Sequence, residues 1–267
     1  MSDNHDGALV VVGSGIQVRS HISTQASVFV RDADKVFFII PDGLGDEWML
    51  ELNASAESLA PIYKSHSQRL NAYQAIVEHI LEPVRRGLNV CAVFYGHPGV
   101  FVLPSHEAIK QARAEGYRAW MCPGVSAEDC LFADLGIDPA TVGCQTYEAT
   151  DFLLNAPALD TRSHLVLWQV GGIGNTGQPK NQKAQGVHIL TEVLLTHYPA
   201  DHIVTVYEAP PLSQYSPRIV PIPLAQLPTV KLTSISTLSV PPCRSKKPDP
   251  IMLARLGLTM DMITKRW

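Results

Sequence analysis

The sequence lacks the patterns that mark several common protein classes. Its five cysteines are odd in number, widely spaced and include no C-x-x-C pair, so neither a disulfide framework nor a structural zinc site is predicted. No apolar run is long enough to span a bilayer, and the polar, acidic start MSDNHDG does not resemble a secretory signal. These absences predict a protein of the reducing cytoplasm that does not enter a membrane.

Positive charge is also scarce. The chain has 21 Lys and Arg against 25 Asp and Glu, for a net charge of −4, and no dense basic face interleaved with aromatics. Nucleic acid is therefore not the expected partner. The ten histidines form no H-E-x-x-H motif or comparable cluster, so no metal site is predicted. What is present is ordinary: 267 residues, 46% of them hydrophobic, can bury the core of one or two domains.

Apolar runs that favour β-strands alternate with helix-like stretches along the chain. The runs are ALVVV (8–12), KVFFII (35–40), NVCAVFY (89–95), YRAWM (117–121), HLVLW (164–168) and HIVTVY (202–207). This alternation predicts an α/β fold. Between the second and third runs, Ile76, Val77, Ile80 and Leu81 recur at helical spacing and Gly87 follows as a stop signal, which predicts a helix over 65–86.

A break near CPGVS (122–126) divides the predicted strands into two sets. We expect two α/β lobes, at 1–122 and 123–242, and a carboxy-terminal tail at 243–267. The proline-rich residues 209–223 indicate an irregular connection, and the tail is expected to hold a short amphipathic helix around 250–257.

Glycine-rich turns follow several of the predicted strands. VVGSGIQV (11–18) fails as a dinucleotide-binding fingerprint, because Val18 stands where the third Gly or Ala is required. VFYGHPGVFV (93–102) places bare glycine backbone directly after a buried strand. Such backbone suits a tight turn and a ligand site equally well.

The order of these motifs resembles the tetrapyrrole methylase family of S-adenosylmethionine-dependent methyltransferases. VVGSG ends the first strand, YGHPGVF follows the third, PGVSA (123–127) follows the fourth, and STLSVPP (236–242) resembles the family's late strand and turn. The match runs from residue 8 to about residue 240. It implies a two-lobed α/β enzyme that binds S-adenosylmethionine (SAM) in the cleft between its lobes and releases S-adenosylhomocysteine (SAH).

The resemblance also implies which residues contact the cofactor. By position they are Gly13, Tyr95, His97, Val100, Phe101, Ser126, Ala127, Gln169, Ser236 and Thr237. His97 lies between two glycines and before a proline, so it is expected to shape the turn or contact the cofactor rather than act as a base or bind a metal.

Tyr95 together with three further residues, Tyr63, Arg69 and Tyr73, resembles the active-site set of the borosin peptide α-N-methyltransferases, which methylate backbone amide nitrogens. Arg69 and Tyr73 are four apart and share a helix face, and a solvated arginine packed on an aromatic ring is the alternative interpretation. The first glycine turn also reads GSGIQVRSHIS, whereas tetrapyrrole-biosynthetic enzymes usually carry a Gly-Pro-Gly-Asp type of loop.

Amide methylation explains these residue types. A peptide nitrogen is a poor nucleophile, because its lone pair is delocalised into the carbonyl. Removing its proton creates an imidate-like anion, with negative charge on the amide oxygen. Arg69 is assigned to stabilise that oxygen. Tyr73 is assigned to accept the amide proton, because the nearby cation is expected to lower its pKa. Tyr63 and Tyr95 are assigned as orienting hydrogen-bond donors.

Two alternatives to a peptide methyltransferase stay open. One is a tetrapyrrole (precorrin-type) or other small-molecule methyltransferase of the same fold, and the other is a non-catalytic cofactor-binding regulator, which could lose the Tyr/Arg set. The borosin resemblance implies a homodimer. Because the tail PDPIMLARLGLTMDMITKRW (248–267) is too short for a docking domain and a target, we expect a separate precursor peptide, with a heterotetramer as one assembly.

Overall fold

The computed structural model describes residues 7–40, 43–66, 68–175 and 184–264, which form two compact units. The first unit runs to Leu131 and includes Ala209–Pro217, and the second takes the remaining residues from Phe132 onward. Both units combine helices with a sheet, so the predicted α/β class is confirmed. The predicted boundary at residue 122 precedes this division, and the tail groups with the second unit.

The first unit is built on a five-stranded parallel sheet. Its strands are β1 (Ala8–Gly13), β2 (Lys35–Ile39), β3 (Glu57–Ser58), β4 (Asn89–Phe94) and β5 (Arg118–Met121), in the spatial order β3-β2-β4-β1-β5. Its helices are α1 (Thr24–Asp32), α2 (Gly43–Leu52), α3 (Ala60–Ser65), α4 (Arg69–Arg85) and α5 (Leu103–Ala114), and α6 (Ala127–Leu135) begins in it. Leu9 and Val11 join one apolar core while Val10 and Val12 join another. Burial on both faces explains why β1 is apolar without alternation.

Helix α4 confirms the predicted helix but begins later. Ile76, Val77, Ile80 and Leu81 are buried, and Gly87 ends the helix with a φ of +87°, as a C-terminal glycine does. Residues 60–65 instead form the separate helix α3, which has a proline in its first turn. Gln68 has an extended backbone, which separates the two helices.

The second unit holds a mixed five-stranded sheet. Its strands are β6 (Cys144–Glu148), β7 (His164–Trp168), β8 (Ile203–Glu208), β9 (Arg218–Pro223) and β10 (Thr237–Val240), in the order β6-β7-β10-β8-β9. Only β6 and β7 pair in parallel among these strands. Its helices are α7 (Pro139–Val142), α8 (Ala149–Asn155), α9 (Ala184–Leu195), α10 (Pro250–Arg255) and α11 (Met260–Thr264), with 3-10 helices at Val170–Gly172 and Leu224–Thr229. The strand β6 was not predicted.

The irregular connection predicted over 209–223 is wrong for residues 218–223, which form β9. This strand lies at the sheet edge and pairs only with β8, where Pro221 is opposite Thr205. An edge strand tolerates proline because one side of its backbone needs no ladder partner. Proline content therefore indicated a loop where the structure has an edge strand.

The predicted helix around 250–257 corresponds to α10. Asp249 caps it by accepting hydrogen bonds from the N–H groups of Ile251 and Met252. Ile251 and Leu256 are each 69% exposed, so the apolar side of this segment is not buried within the chain.

Candidate functional site

Three glycine turns meet at the carboxyl ends of β1, β4 and β5. A Cβ added at Gly13 would lie 2.2 Å from the carbonyl oxygen of Gly96 and 3.1 Å from the Cα of Gly124. Gly15 and Gly96 also exchange backbone hydrogen bonds of 3.2 and 3.0 Å. The carboxyl edge of a parallel sheet is where α/β proteins bind ligands, and these turns place main-chain groups there. The sequence motifs at 11–15, 95–101 and 123–127 therefore come together in the first unit.

His97 shapes the turn that follows β4. Its Nδ1 accepts a hydrogen bond of 2.9 Å from the N–H of Gly99, and its carbonyl accepts one of 3.1 Å from Val100. Phe101 follows with a φ of +57° and a side chain that is 47% exposed. A left-handed, exposed aromatic residue carries a conformational cost, which is often found at functional sites.

Ser126 and Ala127 lie at the start of α6. The backbone N–H and the hydroxyl of Ser126 donate to Asp129 Oδ2 over 2.6 and 2.7 Å, and Asp129 N–H donates back to Ser126 Oγ over 3.1 Å. This reciprocal pair is a capping box, so the Ser126 hydroxyl is engaged by the helix itself. The S-x-x-D spacing was a signal for it in the sequence.

Glu128, in the same first helical turn, carries a perturbed carboxyl group that sequence reasoning did not single out. Burial and the neighbouring Asp129 carboxylate raise the pKa of Glu128 to about 7. Perturbed carboxyl groups of this kind occur at functional sites, and no sequence pattern would have indicated it.

Three of the predicted catalytic residues lie on two helices of the first unit, and the fourth, Tyr95, directly follows β4. Tyr63 is on α3, whereas Arg69 and Tyr73 are on α4, and the two tyrosine rings stack with centroids 6.1 Å apart and an interplanar angle of 25°. The Nε atom of Arg69 is buried and has no hydrogen-bond partner among the described residues. Tyr95 lies at the end of β4, where its N–H donates to the carbonyl of Ile39. The structure thus brings together Tyr63, Arg69 and Tyr73, and the inclusion of Tyr95 stays a prediction.

The expected lowering of the Tyr73 pKa is wrong in its net direction. Burial is the largest influence on the pKa of this phenol and raises it. The charge of Tyr63 and a hydrogen bond with Tyr63 raise the pKa further, and only the Arg69 cation lowers it. The cation acts as expected, but desolvation outweighs it. Tyr73 is therefore a protonated phenol at neutral pH.

In the second unit, Gln169 and Ser236 lie on adjoining segments. Gln169 follows β7 with a φ of +57°, and the next residue, Val170, donates its N–H to the carbonyl of Ser236 over 3.0 Å. Ser236 is fully buried and its hydroxyl donates to Glu208 Oε1 over 2.5 Å, while Thr237 is buried in β10. Because this hydroxyl is used internally, a ligand beside Ser236 would meet backbone. The expected position of the cofactor in a cleft between lobes stays a prediction.

Other kinds of site were sought in the described ranges 7–40, 43–66, 68–175 and 184–264. There, no group of three or more His, Cys, Asp or Glu side chains could hold a metal ion. Within these ranges no helix combines the length and the apolar character needed to cross a bilayer. All five cysteines are free, and burial raises the pKa of the Cys91 and Cys122 thiols, which keeps them protonated.

Curated relatives share about two fifths of their residues with this chain. A "methyltransferase/ribosomally synthesized type I borosin cyclic peptide precursor" from Coprinopsis marcescibilis is 44% identical over 245 residues, which are 88% of this chain and 62% of that protein. A "methyltransferase/ribosomally synthesized cyclic peptide omphalotin A precursor" from Omphalotus olearius is 41% identical and matches 94% of this chain and 62% of its own length. The chain thus spans about three fifths of the length of these relatives.

Solved structures share the fold at much lower identity. A uroporphyrin-III C-methyltransferase from Thermus thermophilus superimposes with a TM-score of 0.64 at 20% identity, over 89% of this chain and 93% of that one. A cobalt precorrin-4 methyltransferase gives a TM-score of 0.63 at 16% identity, over 89% and 95% of the two chains. At these identities the likeness shows the fold alone.

A family model agrees with both comparisons. The model described as tetrapyrrole (corrin/porphyrin) methylases matches residues 8–210, which contain the three glycine turns of the first unit. The sequence motifs predicted this resemblance, and it is confirmed. The chain belongs to the tetrapyrrole (corrin/porphyrin) methylase family.

Proposed function

We propose that this chain is a SAM-dependent methyltransferase that methylates backbone amide nitrogens of a precursor peptide in borosin biosynthesis. Family membership supports methyl transfer, and relatives of about 40% identity whose names join a methyltransferase to a borosin or cyclic peptide precursor support a peptide substrate. The observation that carries the proposal is the buried Arg69 Nε beside the stacked Tyr63 and Tyr73, with no hydrogen-bond partner among the described residues.

Arg69 suits the stabilisation of an amide oxygen. Its guanidinium is charged at every relevant pH and presents several N–H donors in a fixed plane. When the peptide nitrogen gives up its proton to water, the negative charge of the resulting imidate lies largely on the carbonyl oxygen, and a cation with a buried, unpaired donor stabilises that charge before the nitrogen takes the methyl group. The spare donor at Nε lets Arg69 bind this oxygen without first breaking an internal hydrogen bond.

The tyrosines are proposed to hold the peptide. Because the Tyr73 phenol is protonated at neutral pH, we now assign it to hydrogen-bond donation rather than to proton removal. Tyr63 contacts it directly and orients it, and Tyr95 is proposed to approach the same amide from the end of β4.

The residues present fit a SAM-binding role. We propose that, in the first unit, the cofactor contacts the backbone of Gly13, the Tyr95–Phe101 turn, Ser126 and Ala127. In the second unit, we propose that it contacts Gln169, Ser236 and Thr237. Both serine hydroxyls are engaged internally, so contacts at these positions are assigned to main-chain groups. When bound, SAM supplies an electrophilic methyl group on sulfur.

The experiment compares Arg69→Ala with Arg86→Ala, an exposed arginine at the other end of the same helix. Calorimetry with SAH and single-turnover methylation of a peptide are measured for both variants. We expect Arg69→Ala to lose at least about 100-fold in methylation rate while binding SAH normally, and Arg86→Ala to match the wild type. A normal rate for Arg69→Ala would exclude its assigned role, and a wild-type chain that binds neither SAH nor SAM would exclude a methyltransferase.

The source of the peptide and the oligomer are finer parts of the proposal. The relatives' names join methyltransferase and precursor, whereas a precursor peptide on a separate chain is part of this proposal. Mass spectrometry of the purified protein alone and with added peptide decides between them, because methylation of the enzyme's own residues would exclude the separate source. The proposed homodimer, and a heterotetramer with the precursor, are tested by light scattering with and without the peptide.

A further inference from the structure

A largely buried carboxylate, that of Glu208, lies at the end of strand β8 in the second unit. The side chain of Glu208 is 12% exposed, and its Oε1 atom accepts three hydrogen bonds. The donors are Arg218 Nη1 at 2.7 Å, Thr233 Oγ1 at 2.9 Å and Ser236 Oγ at 2.5 Å. A carboxylate with so little exposure needs such donors to offset its lost hydration.

These donors define the turn at residues 233–236, which precedes β10. Inside the turn, Thr233 N–H donates to Ser236 Oγ over 2.8 Å and Ser236 N–H donates to the carbonyl of Thr233 over 3.1 Å. Arg218 extends the contact, since its Nη2 donates to the carbonyl of Lys231 over 2.7 Å. The Glu208 carboxylate and the Arg218 guanidinium thus fix both the turn and the segment entering it.

The same turn supports the loop that follows β7. The carbonyl of Ser236 accepts the N–H of Val170, and a Cβ added at Gly171 would lie 2.0 Å from the carbonyl oxygen of Thr233. The loop therefore packs main chain against main chain, with Gln169 held at a positive φ at its start. A shift of the turn must move this loop with it.

We propose that Glu208 and Arg218 are positioning residues for SAM binding, which hold the backbone at Gln169 and Ser236 in its binding conformation. This inference rests on the proposed function. Neither residue is assigned a contact with the cofactor, and both act through the 233–236 turn. The ion pair is weak support for a purely stabilising role, because the Arg218 side chain is 33% exposed, and solvent screening and the desolvation of Glu208 cancel much of the attraction.

The test uses Glu208→Gln, which keeps the acceptor oxygen but removes the charge, and Thr233→Val, which removes one donor at nearly constant volume. Asp160→Asn is the matched control, since Asp160 pairs with Arg162 at the exposed surface of the same unit. Thermal unfolding, the Kd for SAH, and the KM for SAM with kcat are measured for each.

We expect the Kd for SAH and the KM for SAM to rise about tenfold in Glu208→Gln and about threefold in Thr233→Val, with kcat at saturating SAM nearly unchanged. Asp160→Asn should match the wild type in all three. A normal KM and Kd in both site variants, beside a wild type that binds SAH, would overturn this inference and leave the proposed function standing. If the wild type itself does not bind SAH, both are overturned. A loss of thermal stability in Glu208→Gln with unchanged KM would assign the network a structural role only.

Discussion

The two units place their proposed cofactor residues by different physical means. In the first unit, Gly13, Gly96 and Gly124 bring three main-chain turns within van der Waals contact, and this close packing, with the backbone hydrogen bonds between Gly15 and Gly96, defines their positions. In the second unit, Glu208 and its three donors define the 233–236 turn, and charge and hydrogen bonds fix the backbone. The first arrangement is steric and fails abruptly, whereas the second is electrostatic and can weaken by steps.

The largest expected effect breaks the steric arrangement. Gly13→Ala would place a methyl carbon 2.2 Å from the Gly96 carbonyl oxygen, so the backbone at the end of β1 must move. We expect the free energy of unfolding to fall by at least about 3 kcal/mol and SAH binding to be lost. Urea denaturation and calorimetry measure the two effects.

Gly43→Ala is the control for that substitution, since among the described residues no atom beyond its chain neighbours and its own helix backbone lies within 4 Å of the position of its Cβ. It should change the free energy of unfolding by no more than about 0.5 kcal/mol. If Gly13→Ala were as stable as this control, the close packing of the glycine turns would not be what defines the first unit's edge.

The next largest effect is expected from disrupting the contact between the loop after β7 and the 233–236 turn in the second unit. Gly171→Ala would bring a Cβ to 2.0 Å from the Thr233 carbonyl oxygen, whereas Gly172→Ala meets its nearest atom at 4.0 Å. We expect Gly171→Ala to cost about 2 kcal/mol and to weaken SAH binding about tenfold, and Gly172→Ala to stay within about 0.5 kcal/mol of the wild type. Equal behaviour of the two variants in denaturation and calorimetry would contradict the packing of this loop on the turn.

The difference between the glycine turns of the first unit and the Glu208 network of the second explains which features could be predicted from the sequence. The glycine turns were found because glycine is required where main chains approach closely, and apolar runs identified β1, β2, β4, β5, β7 and β8. The Glu208 network was missed because its members are far apart in sequence, and each is an ordinary polar residue alone. The strands β6 and β9 were missed for a related reason: β6 is half-buried along its length, and β9 contains prolines that only an edge position tolerates. The Tyr73 pKa depends on burial by the whole fold, which residue spacing does not reveal.

A third test concerns the protonation state of Tyr73 in the first unit. Tyr73 is assigned as a protonated donor because its pKa is raised, so Tyr73→Phe should slow methylation about tenfold by the loss of one hydrogen bond. The ratio of wild-type to variant rates should then stay constant from pH 7 to pH 9, since neither form ionises there. Single-turnover rates across this range measure the ratio. A ratio that rises about tenfold per pH unit would instead identify Tyr73 as the base.

The smallest effect compares two partly buried carboxyl groups, one from each unit. Glu208 has three donors, whereas the pKa of Glu128 is raised from 4.5 to about 7 by burial and Asp129. As the pH rises from 4.5 to 7, the unfolded chain releases the Glu128 proton before the folded chain does, so the stability of the folded state falls across this window. Glutamine does not titrate. We therefore expect Glu128→Gln to be more stable than the wild type by about 1 kcal/mol at pH 8, after allowance for solvent screening of a half-buried group, and the advantage to shrink as the pH falls towards 4.5.

Glu208→Gln should instead be less stable than the wild type at pH 8, because it weakens hydrogen bonds that offset the burial of that charge. Urea denaturation of both variants at pH 5 and pH 8 measures this difference, and a Glu128→Gln variant less stable than the wild type at pH 8 would show that the carboxylate form of Glu128 is stabilised in the fold after all.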